Sequence, residues 1–141
     1  MSALHPAPGA KRSLRIFVVE NHEDTRFLLC LLLEQLGHTV FSSPTLVGAL
    51  EVLPATRCDV LISDIGLPDG NGWDLMTRLG DARPPYAIAM SGFGMSSDRQ
   101  RSLNVGYRHH LLKPVEPNQL ERLLDEAADA TRESERRRSV T

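Results

Sequence analysis

Polar side chains with complementary chemistry directly follow four apolar runs of this sequence. Glu20 and Asn21 follow IFVV, Asp64 follows VLIS, Ser91 follows AIAM, and Lys113 follows HHLL. Carboxylates beside an amide oxygen suit a hard divalent cation such as Mg²⁺, which keeps several waters and shares its remaining positions with phosphate oxygens. A hydroxyl and an ammonium would complete a clamp around a phosphoryl group. The residue types therefore indicate phosphoryl chemistry, provided that the fold brings the four runs to one edge.

The elements that must position these residues alternate between strand and helix. Apolar runs of strand length are predicted over residues 14–19, 39–41, 60–63, 86–90 and 110–112. Helical spacing of apolar residues predicts helices over residues 24–36, 45–53, 73–79, 97–105 and from 117 onward. Because the runs are continuous rather than alternating, they favour a parallel sheet covered on both faces. The sequence predicts an α/β fold, a three-layer doubly wound (βα)5 domain with a five-stranded parallel sheet that binds ligands at its carboxyl edge.

The length of 141 residues fits one domain. Residues 1–13 contain proline and glycine without periodicity, and we expect a flexible arm. Residues 14–130 are expected to form the folded domain. Residues 131–141 are rich in charge with little to bury, so we expect a frayed helix end and a charged, solvated tail.

The composition excludes several classes of protein. Apolar residues make up 41 % and charged residues 24 %, and the net charge is −2, which gives no reason to expect a nucleic-acid partner. The longest apolar run, residues 27–33, is too short to cross a membrane, and the N-terminus has no apolar core of signal-peptide length. Cys30 and Cys58 lie in apolar stretches and are expected to be reduced. These features predict a cytoplasmic protein with no membrane partner.

Four motifs carry a resemblance to a known family. The segments VVENHEDT, SDIGLPDGNG, MSG and HLLKPVEP, in this order and spacing, resemble the receiver domain of two-component response regulators over residues 14–128. HHLLKP, followed by an acidic residue and a leucine-rich helix, is most similar to receivers associated with hybrid histidine kinases. The resemblance implies a flavodoxin-like signalling domain, not an enzyme, whose partner is a histidine kinase or phosphotransfer protein.

The resemblance also implies a role for each acidic position. Asp64 would be the phosphoacceptor, whose carboxylate attacks the phosphoryl group of a phosphohistidine to form an acyl phosphate. Glu20 and Asn21 would occupy the two positions that hold Mg²⁺, together with Asp64 and the backbone carbonyl of Gly66. The family has two aspartates where this chain has Glu20 and Asn21. Because Asn21 lacks a negative charge, we expect weaker Mg²⁺ binding.

The hydroxyl and ammonium positions also acquire roles. Ser91 would bond a phosphoryl oxygen and report phosphorylation. Lys113 would pair with Asp64 before phosphorylation and with the phosphoryl group afterwards, and the bond between Lys113 and Pro114 is cis in this family. His110 stands where the family has a Tyr or Phe that moves inward with the hydroxyl residue. Its imidazole would fill that switch position and bring a titratable group with it.

Several features of the second half are interpreted as structural. Trp73 is expected to cover a small core. The helix over residues 97–105 has only Leu103 and Val105 to bury. His109 and His110 are adjacent on a strand and therefore point to opposite faces, which disfavours a shared metal site.

The first helix is apolar on two sides. Phe27 and Leu31 are spaced four residues apart, with Cys30 between them. The opposite face, expected to pack on the sheet, comprises Leu28, Leu29, Leu32, Leu33 and Leu36. We therefore interpret Phe27 and Leu31 as part of a partner surface, for the helical bundle of a kinase or for a homodimer through this helix.

Four functions remain open on these residues. The first is a stand-alone response regulator that accepts a phosphoryl group on Asp64 and signals by phosphorylation-dependent binding or phosphorelay. The second is a pseudo-receiver adaptor, indicated by Asn21 and His110, that binds partners without phosphorylation. A Mg²⁺-dependent phosphatase would have a second acid where Gly66 stands, and a flavin carrier would need a phosphate-binding loop after the first strand, so both are less favoured.

Overall fold

Five parallel strands form the central sheet of the computed structural model, which describes residues 13–92 and 96–140. The strands are β1 (Arg15–Val19), β2 (Thr39–Ser43), β3 (Val60–Asp64), β4 (Tyr86–Ser91) and β5 (His109–Leu112). Their order across the sheet is β2-β1-β3-β4-β5, and each neighbouring pair is parallel. From β1 the chain first adds β2 on one side of the sheet and then adds the remaining strands on the other side. This change of side is typical of a doubly wound sheet, in which ligands bind at the point where it occurs.

Four helices connect the five strands, and a fifth follows the last strand. They are α1 (Glu23–Gln35), α2 (Leu46–Val52), α3 (Gly72–Leu79), α4 (Ser96–Asn104) and α5 (Pro117–Val140). Short 3-10 helices follow α2 (Leu53–Ala55) and α3 (Gly80–Ala82), and a two-residue antiparallel ladder joins Gly66–Leu67 to Gly70–Asn71. The predicted three-layer α/β fold with a five-stranded parallel sheet is confirmed.

The sheet is apolar on both faces, as its continuous strands predict. On one face the strands pack against α1 and α5, and the largest buried residues there include Ile16, Ile62, Ile88, Leu33 and Leu124. On the other face they pack against α2 and α3, through a second set that includes Phe17, Leu61, Leu46, Leu75 and Tyr107. In the three central strands, β1, β3 and β4, alternate residues serve the two cores, so both faces of these strands are removed from water, whereas the edge strands β2 and β5 are partly exposed.

Helix α1 differs from its predicted orientation at one residue. Leu29 and Leu33 are buried in the core, but Leu28 is 62 % exposed, although the sequence analysis places it on the sheet-facing side. Phe27 is 66 % and Leu31 39 % exposed, in agreement with the prediction. The buried stripe of α1 is therefore narrower than predicted, and Leu28 joins the two exposed residues on the outer surface.

The ends of two helices also differ from the prediction. Helix α1 begins at Glu23 after His22, whose Nδ1 accepts a hydrogen bond from the backbone N–H of Thr25. Helix α5 continues through Val140, where the sequence predicts a frayed end and a charged tail. Charged pairs at helical spacing support this extension, among them Arg137 with Glu133 at 3.7 Å. The predicted arm, apart from residue 13, lies outside the described residues.

The loop after β3 is held at both ends. Gly72 approaches the chain so closely that a Cβ atom there would lie 2.6 Å from the backbone oxygen of Asp64, and the hydroxyl of Tyr107 donates to the carbonyl of Gly72. Further along, the carboxylate of Asp69 accepts from the backbone N–H groups of Leu46 and Val47 at the start of α2. These contacts fix the path of the segment that follows Asp64.

None of the helices in the described part of the chain combines the length and apolar composition needed to cross a bilayer.

Candidate functional site

Three charged side chains meet at the carboxyl edge of the sheet. Lys113 Nζ donates to Asp64 Oδ1 and to Glu20 Oε1, each at 2.6 Å. Glu20 is 1 % and Asp64 4 % exposed, whereas the side chain of Lys113 is 28 % exposed. One ammonium therefore bridges two buried carboxylates that come from different strands.

The strand register explains why these residues meet. Asp64 is the last residue of β3 and pairs with Met90 of β4. The backbone N–H of Lys113, just after β5, donates to the carbonyl of Ser91 at the end of β4. Glu20 follows β1, which lies on the other side of β3. The Lys113–Pro114 peptide bond is cis, as the family resemblance implies.

The pKa values of the two carboxylates are shifted in opposite directions. Burial, followed by the hydrogen bond with Glu20, raises the pKa of Asp64 to about 7, against the opposing effect of Lys113. Burial would also raise the pKa of Glu20, but hydrogen bonds with Asp64, Lys113 and the backbone of His22 outweigh it and lower that pKa. Burial disfavours the charged form of Lys113, but its two carboxylate partners outweigh this effect and raise its pKa. Lys113 therefore remains an ammonium, and Asp64 is the group that takes up a proton.

Glu20 is held from three directions. Besides its bond to Lys113, Glu20 Oε2 accepts from the backbone N–H of His22 at 2.9 Å. The guanidinium of Arg26, on α1, donates to the backbone carbonyl of Glu20, also at 2.9 Å. The position of this carboxylate is thus set by the first turn of α1 as well as by β1.

The residues at this edge fit Mg²⁺, with one charge fewer than the family pattern. The buried carboxylates of Glu20 and Asp64 supply hard oxygen atoms, and Mg²⁺ in proteins commonly uses one or two carboxylates together with waters. Gly66, which lines the cleft, and Asn21, which follows Glu20 in the chain, are both exposed and carry a backbone carbonyl and an amide oxygen. Nothing lies within 4 Å of the position of a Cβ atom on Gly66, so the rim is open there.

A chain of hydrogen bonds leads away from the carboxylates. Ser91 Oγ lies 2.7 Å from His110 Nε2, and His110 Nδ1 lies 2.8 Å from Ser102 Oγ. Ser102 is fully buried in α4 and accepts a hydrogen bond of 2.9 Å from the indole N–H of Trp73. The guanidinium of Arg101 stacks on that indole, 4.0 Å from the ring centroid. Helices α3 and α4 are therefore both connected to the imidazole of His110.

His110 lies in an environment that disfavours its charged form. Burial, and then the charge of Arg99, lower the pKa of His110, while Asp98 opposes them weakly. His109 faces the other side of the sheet, where its Nε2 lies 3.2 Å from Glu126 and 3.1 Å from the hydroxyl of Tyr86. The predicted divergence of the two imidazoles is confirmed.

A cleft of about 350 Å³ lies over this group, lined by Asp64, Gly66, Trp73, Ser91, His110 and Lys113. The structure thus brings together Glu20, Asp64, Gly66, Ser91, His110 and Lys113 at the strand ends. Asn21 is exposed in the chain next to Glu20, and Phe27 and Leu31 are exposed on α1.

Ser102 and the polar contact of Trp73 were not predicted from the sequence. The apolar pattern predicts Leu103 as a buried residue of α4, but Leu103 is 48 % exposed and Ser102 takes the inward position. The weak apolar pattern of α4 was the available signal, because a helix with few apolar residues that lies on a sheet must direct a polar side chain inward.

The comparisons with known proteins identify the family of this chain. A sequence profile described as the response regulator receiver domain matches residues 16–125. The chain therefore belongs to the response regulator receiver domain family. It is a receiver domain of two-component signalling, and domains of this family interact with histidine kinases or phosphotransfer proteins.

Two curated relatives differ greatly in length. An uncharacterised 14.6 kDa protein of Leptolyngbya boryana is 35 % identical over 116 residues, which cover 79 % of this chain and 87 % of that protein. The sensor histidine kinase RcsC of Escherichia coli is 31 % identical over 124 residues, which cover 86 % of this chain but 13 % of the kinase. The chain therefore spans about a tenth of the length of the sensor kinases that it matches. The resemblance to receivers associated with hybrid kinases is confirmed.

Solved structures show the same fold. A CheY-like receiver domain protein of Methanospirillum hungatei superposes with a TM-score of 0.81 at 25 % identity, over 87 % of this chain and 99 % of that one. The receiver domain of a sensor histidine kinase from Pseudomonas aeruginosa, with a magnesium ion in its active site cleft, superposes with a TM-score of 0.75 at 22 % identity. That match covers 84 % of this chain and 99 % of the other.

Proposed function

We propose that this receiver accepts a phosphoryl group on Asp64 from a phosphohistidine and signals through phosphorylation-dependent binding or phosphorelay. The observation that carries the proposal is the bridge from Lys113 to both Asp64 and Glu20, with Ser91 at the end of the neighbouring strand. An acceptor carboxylate, a cation and a hydroxyl donor on one edge are the groups that phosphoryl transfer to an aspartate requires.

The transfer is a displacement at phosphorus. An oxygen of the ionised Asp64 carboxylate attacks the phosphorus atom, and the P–N bond to the donor imidazole breaks with its electron pair leaving on nitrogen. The product is an acyl phosphate and a free histidine, so the acceptor must be deprotonated to react. Lys113 lies 2.6 Å from Asp64 Oδ1, close enough to move its hydrogen bond to a phosphoryl oxygen as negative charge arrives.

Glu20, Asn21, Asp64 and the Gly66 carbonyl are the residues that would hold Mg²⁺. When bound, this ion offsets the negative charge of the carboxylates and the phosphoryl oxygens. We expect binding weaker than in receivers with two aspartates, because Asn21 contributes an amide oxygen without charge.

Ser91 and His110 form the proposed switch. Their side chains are hydrogen-bonded at 2.7 Å, so a movement of Ser91 towards a phosphoryl oxygen changes the contacts of the imidazole. The signal then reaches the surface beside α4 through His110, which takes the place of the family's aromatic residue.

The outer face of α1 is the proposed partner surface. Phe27 and Leu31 are exposed, and Leu28 lies beside them at the edge of an apolar groove that runs to Pro114 next to Lys113. Lys113 lines both this groove and the cleft over Asp64, so a protein that delivers a phosphohistidine to Asp64 would lie beside the groove. We assign the surface to a histidine kinase or phosphotransfer protein, with a homodimer through α1 as its second use.

We further propose that the receiver acts as a stand-alone cytoplasmic response regulator, which takes up and loses phosphoryl groups but turns over no separate substrate. The uncharacterised 14.6 kDa protein of Leptolyngbya boryana, of which the match covers 87 %, is a relative of receiver size. The exposed Asn21 favours one alternative, an adaptor that binds partners without phosphorylation.

Intact mass spectrometry after incubation with Mg²⁺ and acetyl phosphate separates the two functions. We expect a phosphoryl adduct on the parent protein and none on Asp64→Asn. If a phosphorylated histidine kinase also leaves no adduct on the parent protein, the phosphoacceptor function is wrong and the adaptor takes its place.

A further inference from the structure

The hydroxyl of Ser102 has one place to donate its proton. Its oxygen accepts from the indole N–H of Trp73, and its other hydrogen-bond partner is His110 Nδ1 at 2.8 Å. Among the described residues no further partner of Ser102 is found, and this side chain is fully buried. A buried hydroxyl proton left without an acceptor is unfavourable, so Ser102 donates to Nδ1.

This donation determines the tautomer of His110. A neutral imidazole has one N–H donor and one acceptor nitrogen. If Nδ1 accepts from Ser102, the proton resides on Nε2, and Nε2 donates to the oxygen of Ser91 at 2.7 Å. Ser91, having accepted this bond, directs its own hydroxyl proton away from the imidazole. The donations thus run in one direction, from Trp73 through Ser102 and His110 to the oxygen of Ser91.

We infer that Ser102 and Trp73 are positioning residues for the hydroxyl of Ser91. They act through His110, which they hold with its proton on Nε2, so that Ser91 presents a hydrogen-bond donor to a phosphoryl oxygen. The inference rests on the proposed role of Ser91 at the phosphoryl site. It assigns a function to a serine of α4 that touches neither the acceptor nor the metal ligands in the structure.

The arrangement also connects the cleft to two helices. Trp73 belongs to α3, and it contacts α4 twice, through the hydroxyl of Ser102 and the guanidinium of Arg101. Trp73 is the single tryptophan of the chain, so its fluorescence reports this contact without interference. A change in the bonds of His110 is expected to alter the indole environment.

The first test measures the tautomer in the unphosphorylated protein. Nitrogen-15 spectra of the histidine rings at about pH 8, where a histidine of lowered pKa is neutral, are expected to show the His110 proton on Nε2. In Ser102→Ala we expect the His110 ring proton to be distributed between Nδ1 and Nε2. In Ser102→Thr, which keeps the hydroxyl, we expect this proton to reside on Nε2 as in the parent protein. A proton on Nδ1 in the parent protein would overturn the inference.

The second test measures phosphorylation. We expect Ser102→Ala to lower the initial rate with acetyl phosphate about fivefold, the ratio that corresponds to one ordinary hydrogen bond, and to abolish the phosphorylation-dependent change in Trp73 emission. Trp73→Phe, which leaves Ser102 in place but removes the indole donor, is expected to lower the rate less. Gln100→Ala is the matched control, because Gln100 lies on the exposed side of α4, where its side chain donates to Asn104.

The outcomes separate this inference from the proposed function. A parental rate in Ser102→Ala contradicts the positioning role while leaving phosphorylation of Asp64 intact. A parent protein that is never phosphorylated contradicts the proposed function, and the tautomer measurement then decides by itself whether Ser102 orients His110.

Discussion

Lys113 Nζ is as close to Glu20 Oε1 as it is to Asp64 Oδ1, at 2.6 Å from each. Two buried carboxylates therefore share one ammonium. The shared ammonium does not distinguish the two groups: burial raises the pKa of Asp64, whereas hydrogen bonds with Asp64, Lys113 and the backbone of His22 outweigh burial and lower the pKa of Glu20.

The shared ammonium predicts that Asp64→Asn stabilises the magnesium-free protein. The folded state raises the pKa of Asp64 from 3.8 to about 7, so it holds the proton more tightly than the unfolded chain does. The parent protein consequently loses stability as the pH rises between these values, whereas the amide does not titrate. We expect Asp64→Asn to be more stable by about 1–3 kcal/mol at pH ~8 and by little at pH ~4.

Urea denaturation in the presence of a chelator measures this difference. Asp59→Asn is the control, since Asp59 is also buried but bonds the backbone of Arg15 at the opposite end of the sheet. A stability gain at pH ~4 as large as that at pH ~8 would show that the effect does not come from the Asp64 carboxylate.

Asn21→Asp is expected to tighten Mg²⁺ binding about tenfold, because it adds a third carboxylate to those of Glu20 and Asp64 and affinity for hard cations follows ligand charge. Trp73 lines the same cleft, so quenching of its fluorescence provides the titration. Asn118→Asp, which adds the same charge on the exposed surface of α5, should leave the affinity unchanged. Equal affinities of Asn21→Asp and the parent protein would remove Asn21 from the proposed metal ligands.

Gly72→Ala is expected to destabilise the fold by about 1–3 kcal/mol, the usual cost of inserting a methyl group into a packed site. The added Cβ would lie 2.6 Å from the backbone oxygen of Asp64 and 3.0 Å from the hydroxyl of Tyr107. Gly66→Ala is the control, because the same methyl group meets nothing within 4 Å there. Chemical denaturation of both variants tests the contact, and equal midpoints would contradict it.

The double variant Phe27→Glu/Leu31→Glu tests the partner surface. Both side chains are exposed, so we expect the thermal midpoint and phosphorylation by acetyl phosphate to stay close to the parental values. Phosphotransfer from a histidine kinase or phosphotransfer protein should fall about tenfold or more, since two charges now face an apolar contact. Val52→Glu, at an exposed apolar residue of α2, is the matched control. Unchanged phosphotransfer together with an unchanged oligomeric state would exclude this surface.

The positions of the strand ends could be predicted because few folds accommodate five continuous apolar runs that alternate with helices. Continuous apolar runs require a sheet covered on both faces, and parallel strands place their carboxyl ends on one edge. Asp64 and Lys113 therefore fall together even though they are far apart in the sequence. The family motifs then indicate the roles of Asp64 and Lys113, and these roles can be proposed without knowledge of how the side chains pack.

Side-chain direction within helices was less predictable. Leu28 and Leu29 are adjacent and equally apolar, and only the rotation of α1 against the sheet decides that the second is buried. Ser102 lies inside because His110 and Trp73 offer it hydrogen bonds, a tertiary property that the local pattern around Leu103 does not contain. The extension of α5 likewise depends on charged pairs that are too weak individually to identify from the sequence.

The two neighbouring histidines of β5 give this edge strand contacts in two directions. His110 bonds to Ser102 of α4, while His109 lies against Glu126 of α5, and adjacent residues of a strand cannot move independently. Any displacement of β5 along the sheet therefore disturbs the imidazole contacts of α4 and α5 in the same step. Helices α4 and α5 are thus coupled through one short strand. A protein that contacts both helices would therefore meet the effect of a β5 displacement on both of them at the same time.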